Sequence, residues 1–168
     1  GGNLADGYIL TGPVVKILPE MMPPKPVIFV LGFLAKFFPL LKMPGTDFMS
    51  TFDLAFGDKV WAQTGRNDPF VQEAAKIPPR LGMAASFLTT MDKINQSFDS
   101  VKVPLKIIMG EHDTRVDTNA VKQLAKDASS QDKDLEIVPG GYHQLFQDVP
   151  EVTSKVCDSV ISWVLQRA

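Results

Sequence analysis

The chain has 168 residues, 45% of them hydrophobic, a net charge of -2 and one cysteine. That size and apolar content suit one globular domain or part of a larger one. The charge offers no basic footprint for nucleic acid, and Cys157 lacks a second thiol for an internal disulfide, so a reduced compartment is permitted.

No basic stretch precedes an apolar run near the start, so no secretory signal is read there. Most of the 13 prolines fall before residue 80, among many phenylalanines and methionines, and beyond it the pattern turns regular. This shift predicts an irregular, mostly helical insertion followed by an orderly α/β segment. Neither part holds an internal repeat or a low-complexity run.

In chain order, Asp6-Gly7-Tyr8-Ile9-Leu10-Thr11-Gly12-Pro13 predicts a short buried strand, an apolar run between glycines that Gly-Pro ends. Little lies upstream to cover or pair with it. After Val14 to Met22, the prolines at 23, 24 and 26 are expected to break any helix there. Val27 to Ala35, continued past Lys36 by Phe37 to Leu41, is the most apolar run. It falls short of the ~20 residues that a membrane span needs. Two readings stay open: a buried helix, or a lid helix that lines an apolar pocket or touches a membrane surface. Residues 44–66 carry mixed turn signals, including Pro44-Gly45 and Gly57-Asp58. Asn67-Asp68-Pro69 predicts a helix start, with Asp68 as N-cap rather than catalyst and Pro69 at the first helical position. Pro78-Pro79 ends that segment. Leu81, Ala84, Ala85, Leu88 and Met91 then recur at helical spacing, a stripe expected to pack into the core.

Val103 to Met109 predicts a parallel core strand. Asp117-Thr118 offers a cap to a helix whose apolar face holds Val121, Leu124, Ala125 and Ala128. Leu135 to Val138 is the next strand, and a strand-helix-strand unit of this length implies a parallel crossover. Pro150 opens the last helix, with Val152, Val156, Val160, Ile161, Val164 and Leu165 as its buried stripe and Trp163 nearby. Alternating strands and helices place this half in an α/β sheet.

Functional groups in open parallel sheets gather beyond the carboxyl ends of the strands. Asp113 follows Met109 there and His143 follows Val138. A histidine that takes a proton from a serine needs a fixed tautomer, which a carboxylate on its other ring nitrogen supplies. Gly140-Gly141 permits the backbone conformations that carry the histidine over the sheet edge. By order and position alone, the pair reads equally as an acid and base or as a loop aspartate beside a hydrogen-bonded histidine. His112 is expected to be structural or to face solvent, Asp117 to cap and Arg115 to be a surface charge. The two histidines lack the carboxylate or cysteine spacing of a metal site.

At these residues the chain resembles the monoacylglycerol lipase-like serine hydrolases of the α/β-hydrolase fold, notably the plant-type lysophospholipase and caffeoylshikimate esterase relatives. The matching pieces occur in family order over nearly the whole chain. They are Asp6 to Leu10 with Gly12-Pro13, Asn67-Asp68-Pro69, Pro79-Arg80-Leu81-Gly82, Val103-Pro104-Leu105, Gly110-Glu111-His112-Asp113 with Asp117, Ala128-Ser129-Ser130 with Asp132-Lys133, and Pro139-Gly140 with Tyr142-His143. The resemblance implies that Asp113 and His143 are the triad acid and base. It implies a C-terminal hydrolase portion: a core strand over 1–13, a cap over an acyl-binding pocket with its return helix over 14–100, and the α/β core over 101–168. Phe29, Phe33 and Phe37 are the cap residues expected to meet substrate. Family members hydrolyse carboxylic esters, often long-chain monoglycerides or lysophospholipids, without a cofactor.

The sequence departs from that family at the nucleophile. No two of its 12 glycines stand four apart, so the G-x-S-x-G turn is absent from these residues. Gly1-Gly2 resembles the tail of such a turn, but only Asn3-Leu4-Ala5 separates it from the first strand where the family has a full helix. An early H-G-type loop, the usual oxyanion donor, is also absent, and Met109 replaces the histidine of the family's strand-end His-Gly pair. Ser86, Ser97, Ser129, Ser130 and Cys157 are poor substitutes by position.

Three expectations follow. The first is a serine esterase or lipase fragment with acid and base, inactive alone, acting on a small-molecule ester or lipid. The second is a non-catalytic lipid or small-molecule binder. The third is a piece that pairs with the missing N-terminal half or with itself. The expected location is the cytoplasm, with peripheral membrane contact through the cap.

Overall fold

The computed structural model describes residues 5–18, 22–43 and 49–167. Its centre is a three-stranded parallel sheet of β1 (Tyr8–Thr11), β2 (Leu105–Gly110) and β3 (Lys133–Val138), in that spatial order. The register runs from Tyr8 opposite Leu105 to Thr11 opposite Ile108, and from Leu105 opposite Lys133 to Gly110 opposite Val138. Every residue of β2 is buried, Lys106 included, and the apolar run Ile107-Ile108-Met109 suits a central parallel strand. By contrast β1 is exposed at Tyr8 and Thr11 and half-buried between, so the expected strand is present but thinly covered.

Alternate residues of β2 serve two cores. Leu105, Ile107 and Met109 pack with Val121 and Leu124 of α5 (Thr118–Asp127), together with Val15 and Phe98. Ile108 packs on the opposite face with Val138, Leu145, and Val152 and Val156 of α6 (Pro150–Leu165). Full burial of each such aliphatic side chain contributes about 1.5–3 kcal/mol. Asp117 caps α5 through the Asn119 and Ala120 amides, and Pro150 lies in the first turn of α6. The stripe of α6 is narrower than its sequence suggests: Val152, Val156 and Trp163 are buried, whereas Ile161, Val164 and Leu165 are exposed. At ~100° per residue Trp163 returns to the face of Val152 and Val156, while Ile161 and Leu165 turn to the far side.

Lys106 shares the α6 face of β2 with Ile108. Its side chain is 5% exposed, and its ammonium sits 2.6 Å from Asp134 and 3.2 Å from Glu136. Burial pulls its pKa down, but the two carboxylates outweigh that and hold it above the ordinary lysine value. At the same end of the sheet the Arg167 guanidinium bonds Asp132 and holds its carboxyl below the usual carboxylate value.

Between β1 and β2 the described residues are largely helical. Helix α1 (Lys25–Phe37) starts at the proline cluster instead of being broken by it: Pro24 is its N-cap and another proline lies in its first turn, where no amide donor is needed. The buried-helix reading of this run is not met, because Ala35 is its one buried residue and α1 packs on α4 (Leu81–Asn95) with its other face uncovered. The α4 stripe accordingly packs against α1; Leu81 is fully buried and Ala84, Ala85, Leu88 and Met91 are half-buried.

Residues 44–48, including Pro44-Gly45, lie outside the described residues. The turn signals around Gly57-Asp58 prove to start a helix. Helix α2 (Lys59–Asn67) is opened by Asp58, which accepts from Val60 and Trp61, and it follows a 3-10 segment, Met49–Ala55. Its weak helix formers Val60, Thr64 and Gly65 hid it from a propensity reading. Arg66 of α2 bonds Asp53 and the Met49 carbonyl, which ties the two together. Helix α3 (Pro69–Ala75) begins as expected, with Asp68 accepting from Phe70 and Val71.

Candidate active site

Beyond the carboxyl ends of β2 and β3 the two loops are joined by backbone bonds. Glu111 N donates to Val138 O at 3.0 Å and His112 N to Gly141 O at 2.8 Å. The Glu111 carboxylate accepts from Gly140 N at 3.0 Å. Gly140 holds a φ of +71°, which turns the β3 loop back across the sheet edge.

This closure sets Asp113 against His143. His143 Nδ1 lies 2.9 Å from Asp113 Oδ2, and the two side chains are 21% and 0% exposed. The other oxygen, Oδ1, accepts from Arg115 N at 2.8 Å and Val116 N at 3.3 Å. A buried carboxylate needs such donors, and they fix its plane. With Nδ1–H donated to Asp113, the neutral imidazole keeps Nε2 as an acceptor. The arrangement can therefore take a proton at Nε2 and stabilise the resulting imidazolium.

Gly12 was not singled out as a site residue, yet it forms the bed of the imidazole. Its φ is +52°, and a Cβ there would stand 3.1 Å from His143 Nδ1 and 3.2 Å from His143 O. Only glycine gives that turn and that approach together. The Gly-Pro ending of β1 was its sequence signal.

The remaining candidates separate from the pair. Asp117 caps α5, and His112 is exposed, edge-on to Tyr142 at 5.6 Å. Arg115 is half-buried and donates to Thr51 O at 3.4 Å, so it links the acid loop to the 3-10 segment and is not a free surface charge. Ser86, Ser97 and Ser129 are exposed, buried Ser130 donates to Asp132 O, and Cys157 is half-buried on α6. Among the described residues no serine or cysteine is bonded to the His143 ring. None of their His, Cys, Asp and Glu side chains group as a metal site, and no helix among them is long and apolar enough to cross a membrane.

A separate apolar groove of about 1330 Å³ runs between α1 and α4. Phe29 and Phe33 line it, with Ile17, Met43, Leu81 and Leu88. Phe37 is not in its lining; it leans on Phe33 with ring centres 5.2 Å apart. Phe29, Phe33 and Phe37 remain 77%, 56% and 64% exposed. Neither the Asp113 loop nor the His143 loop contributes to this lining.

Residues 2–150 match the family model described as serine aminopeptidase, S33 (Hydrolase_4). Human monoglyceride lipase is 33% identical over 92 residues, covering 52% of this chain and 30% of that protein. The monoglyceride lipase of Saccharomyces cerevisiae is 26% identical over 178 residues, covering 96% of this chain and 52% of that protein. The chain thus spans about half the length of that relative, or less in the human case. Among solved structures, a soluble variant of the yeast lipase bound to a substrate analogue aligns with a TM-score of 0.76 at 24% identity, over 97% of this chain and 56% of that one. Monoacylglycerol lipase from Paleococcus ferrophilus gives 0.80 at 18% identity, over 97% and 60%. At such identities the structures establish the fold, an α/β hydrolase with a parallel sheet and flanking helices. The family match and the relatives together show that this chain belongs to the serine aminopeptidase S33 family and is a monoacylglycerol lipase-like α/β hydrolase.

Proposed function

We propose that the chain supplies the acid, the base and the cap of a carboxylic ester hydrolase of the monoacylglycerol lipase and lysophospholipase type. Its serine nucleophile and oxyanion donors would lie outside these 168 residues, in a protein of which this is the C-terminal portion. The observation that carries the reading is the 2.9 Å bond between His143 Nδ1 and the fully buried carboxylate of Asp113. Their loops leave adjacent parallel strands at the sheet edge where α/β folds place their chemistry.

In this mechanism the serine Oγ attacks the ester carbonyl as His143 Nε2 takes its proton. Asp113 holds the imidazole in the required tautomer and stabilises its cation. The imidazolium then returns the proton to the leaving alcohol, and a water molecule repeats the sequence to release the acid. Residues 14–100 act as the cap, and the apolar groove beside Phe29 and Phe33 receives an acyl chain. No cofactor enters these steps. The exposed aromatic face of α1 would rest on a membrane surface from the cytoplasmic side, as wide apolar helix faces do.

A second reading, a non-catalytic lipid binder, draws on the groove itself. It is large and apolar, and it shares no lining residue with the acid–base pair. Ester turnover by the native protein separates the two. The hydrolase reading expects turnover of a p-nitrophenyl acyl ester to fall several orders of magnitude in His143→Ala. Lipid binding without turnover, unchanged in Asp113→Asn, would leave the binder.

A further inference from the structure

Asp148 is 2% exposed, and its buried carboxylate serves neither a cation nor a helix cap among the described residues. The N-cap of α6 is Val149, without a side-chain cap bond; the amides of Val152 and Thr153 go to the Val149 carbonyl. Asp148 Oδ1 accepts from the Val149 amide at 2.8 Å, while Oδ2 reaches back six residues to the Tyr142 amide at 2.7 Å. The residue just before His143 is thus held by a carboxylate. The residue just after it is held as well, by Gln144 N donating to Ala55 O at 2.8 Å.

The second hold belongs to the segment leading into α2, and that segment also touches Asp148. A Cβ added at Gly57 would fall on Asp148 Oδ1 and stand 2.8 Å from Tyr142 Cδ2. Gly57 has no positive φ, so a side chain there is excluded by space and not by backbone conformation. Residues 55–57 and Asp148 together form a cradle around the backbone that carries the base.

We infer that Asp148 is a positioning residue for His143, with Gly57 the contact through which the helical segment before β2 sets that position. The inference rests on the acid–base reading of Asp113 and His143. A carboxylate accepting two amides fixes a loop more tightly than a neutral acceptor does. A displacement of ~1 Å at a catalytic base is enough to cost rate, so a hold on residues 142 and 144 bears on chemistry although neither reacts. In Asp148→Asn the side-chain shape is kept, but the amide group must face one of the two N–H donors with donors of its own. In Gly57→Ala the carboxylate stays and is pushed off its partners.

The test reads the His143 imidazole by NMR in the native protein, with His112 as internal reference. Measurements are the ratio of Nδ1–H to Nε2–H tautomers and the hydrogen-exchange rate of the Tyr142 amide, in wild type, Asp148→Asn, Gly57→Ala and Asp113→Asn. We expect Asp148→Asn to lower the tautomer ratio at least threefold and to speed Tyr142 exchange at least tenfold, while the Ile107 and Ile108 amides keep their protection. Gly57→Ala should reproduce both changes. An unchanged ratio in Asp148→Asn, or one lost only together with Ile107 and Ile108 protection, overturns the positioning role; an unchanged ratio in Gly57→Ala overturns the Gly57 contact. Asp113→Asn separates this from the underlying reading. If it too leaves the ratio unchanged, the acid–base reading fails; if it alone collapses the ratio, only the role of Asp148 fails.

Discussion

Asp113→Asn exchanges one acceptor for a donor at nearly constant shape, and the surroundings dictate which way the amide faces. With its oxygen toward Arg115 N and Val116 N, both bonds to Oδ1 survive and the NH2 meets His143 Nδ1. Reversed, it opposes two amide donors in a fully buried position. Each unsatisfied buried donor costs about 1–3 kcal/mol, so the first orientation wins. His143 must then offer a lone pair at Nδ1, and its proton moves to Nε2, the atom that should accept from the serine. Folding loses the difference between a charge-assisted and a neutral bond, about 1 kcal/mol. For a chain of this size that lowers Tm by roughly 2–4 °C. Hydrolysis by the native protein should fall by about 10⁴, the scale of a wrong-tautomer lesion in a serine triad. Imidazole carbon shifts report the tautomer, urea titration the stability and p-nitrophenyl ester turnover the rate. An unchanged tautomer, or a rate within tenfold of wild type, would refute the reasoning.

Further outcomes follow from other parts of the molecule. Lys106 lies above its ordinary pKa, so its stabilising effect is complete below the ordinary lysine range and is lost as pH rises through its folded value. Lys106→Met should cost about 1–3 kcal/mol at pH 7, less than a fully buried pair because Asp134 is half exposed, and the gap should narrow in alkali. Equal urea midpoints at pH 7 would contradict this. Ile108→Ala opens a cavity in the α6-side core, and about 2–5 kcal/mol should disappear from the same titration. Phe33→Ser combined with Phe37→Ser should weaken binding of a fluorescent fatty acyl probe at least tenfold; unaltered binding would remove the groove from the acyl-site assignment.

The sequence disclosed the sheet half of the molecule more fully than the helical half, for a physical reason. In β2 and α5 the local signals agree: the apolar run Ile107 to Met109, a capping Asp117, and a single apolar face at Val121, Leu124, Ala125 and Ala128, of which Ala125 is half-buried. They also coincide with burial in the structure. Strand β3 begins at Lys133, two residues before its apolar part, because backbone pairing continues past the buried stretch. In α1 and α6 hydrophobicity overstated burial, since an apolar run says nothing of whether a neighbour exists to cover it. Phe29 and Leu165 are both largely exposed. Helix α2 is held by its cap and by Arg66 bonds to Asp53 and Met49, which no periodicity reveals. At the site, strand-end position made Asp113 and His143 candidates without deciding their roles, and the structure brings them within 2.9 Å of each other. Gly12 and Asp148 act through backbone approach and long-range amide bonds, and those become visible only when the loops are in place.

The central claim is that Asp113 and His143 serve a serine carried outside these 168 residues. The most direct test is the intact mass of the native protein from its source, before and after a fluorophosphonate probe. The account predicts a chain heavier than 18.5 kDa that gains one adduct on a serine, with labelling lost in His143→Ala. A native mass near 18.5 kDa with no adduct would contradict it and leave a lipid-binding protein on a hydrolase fold.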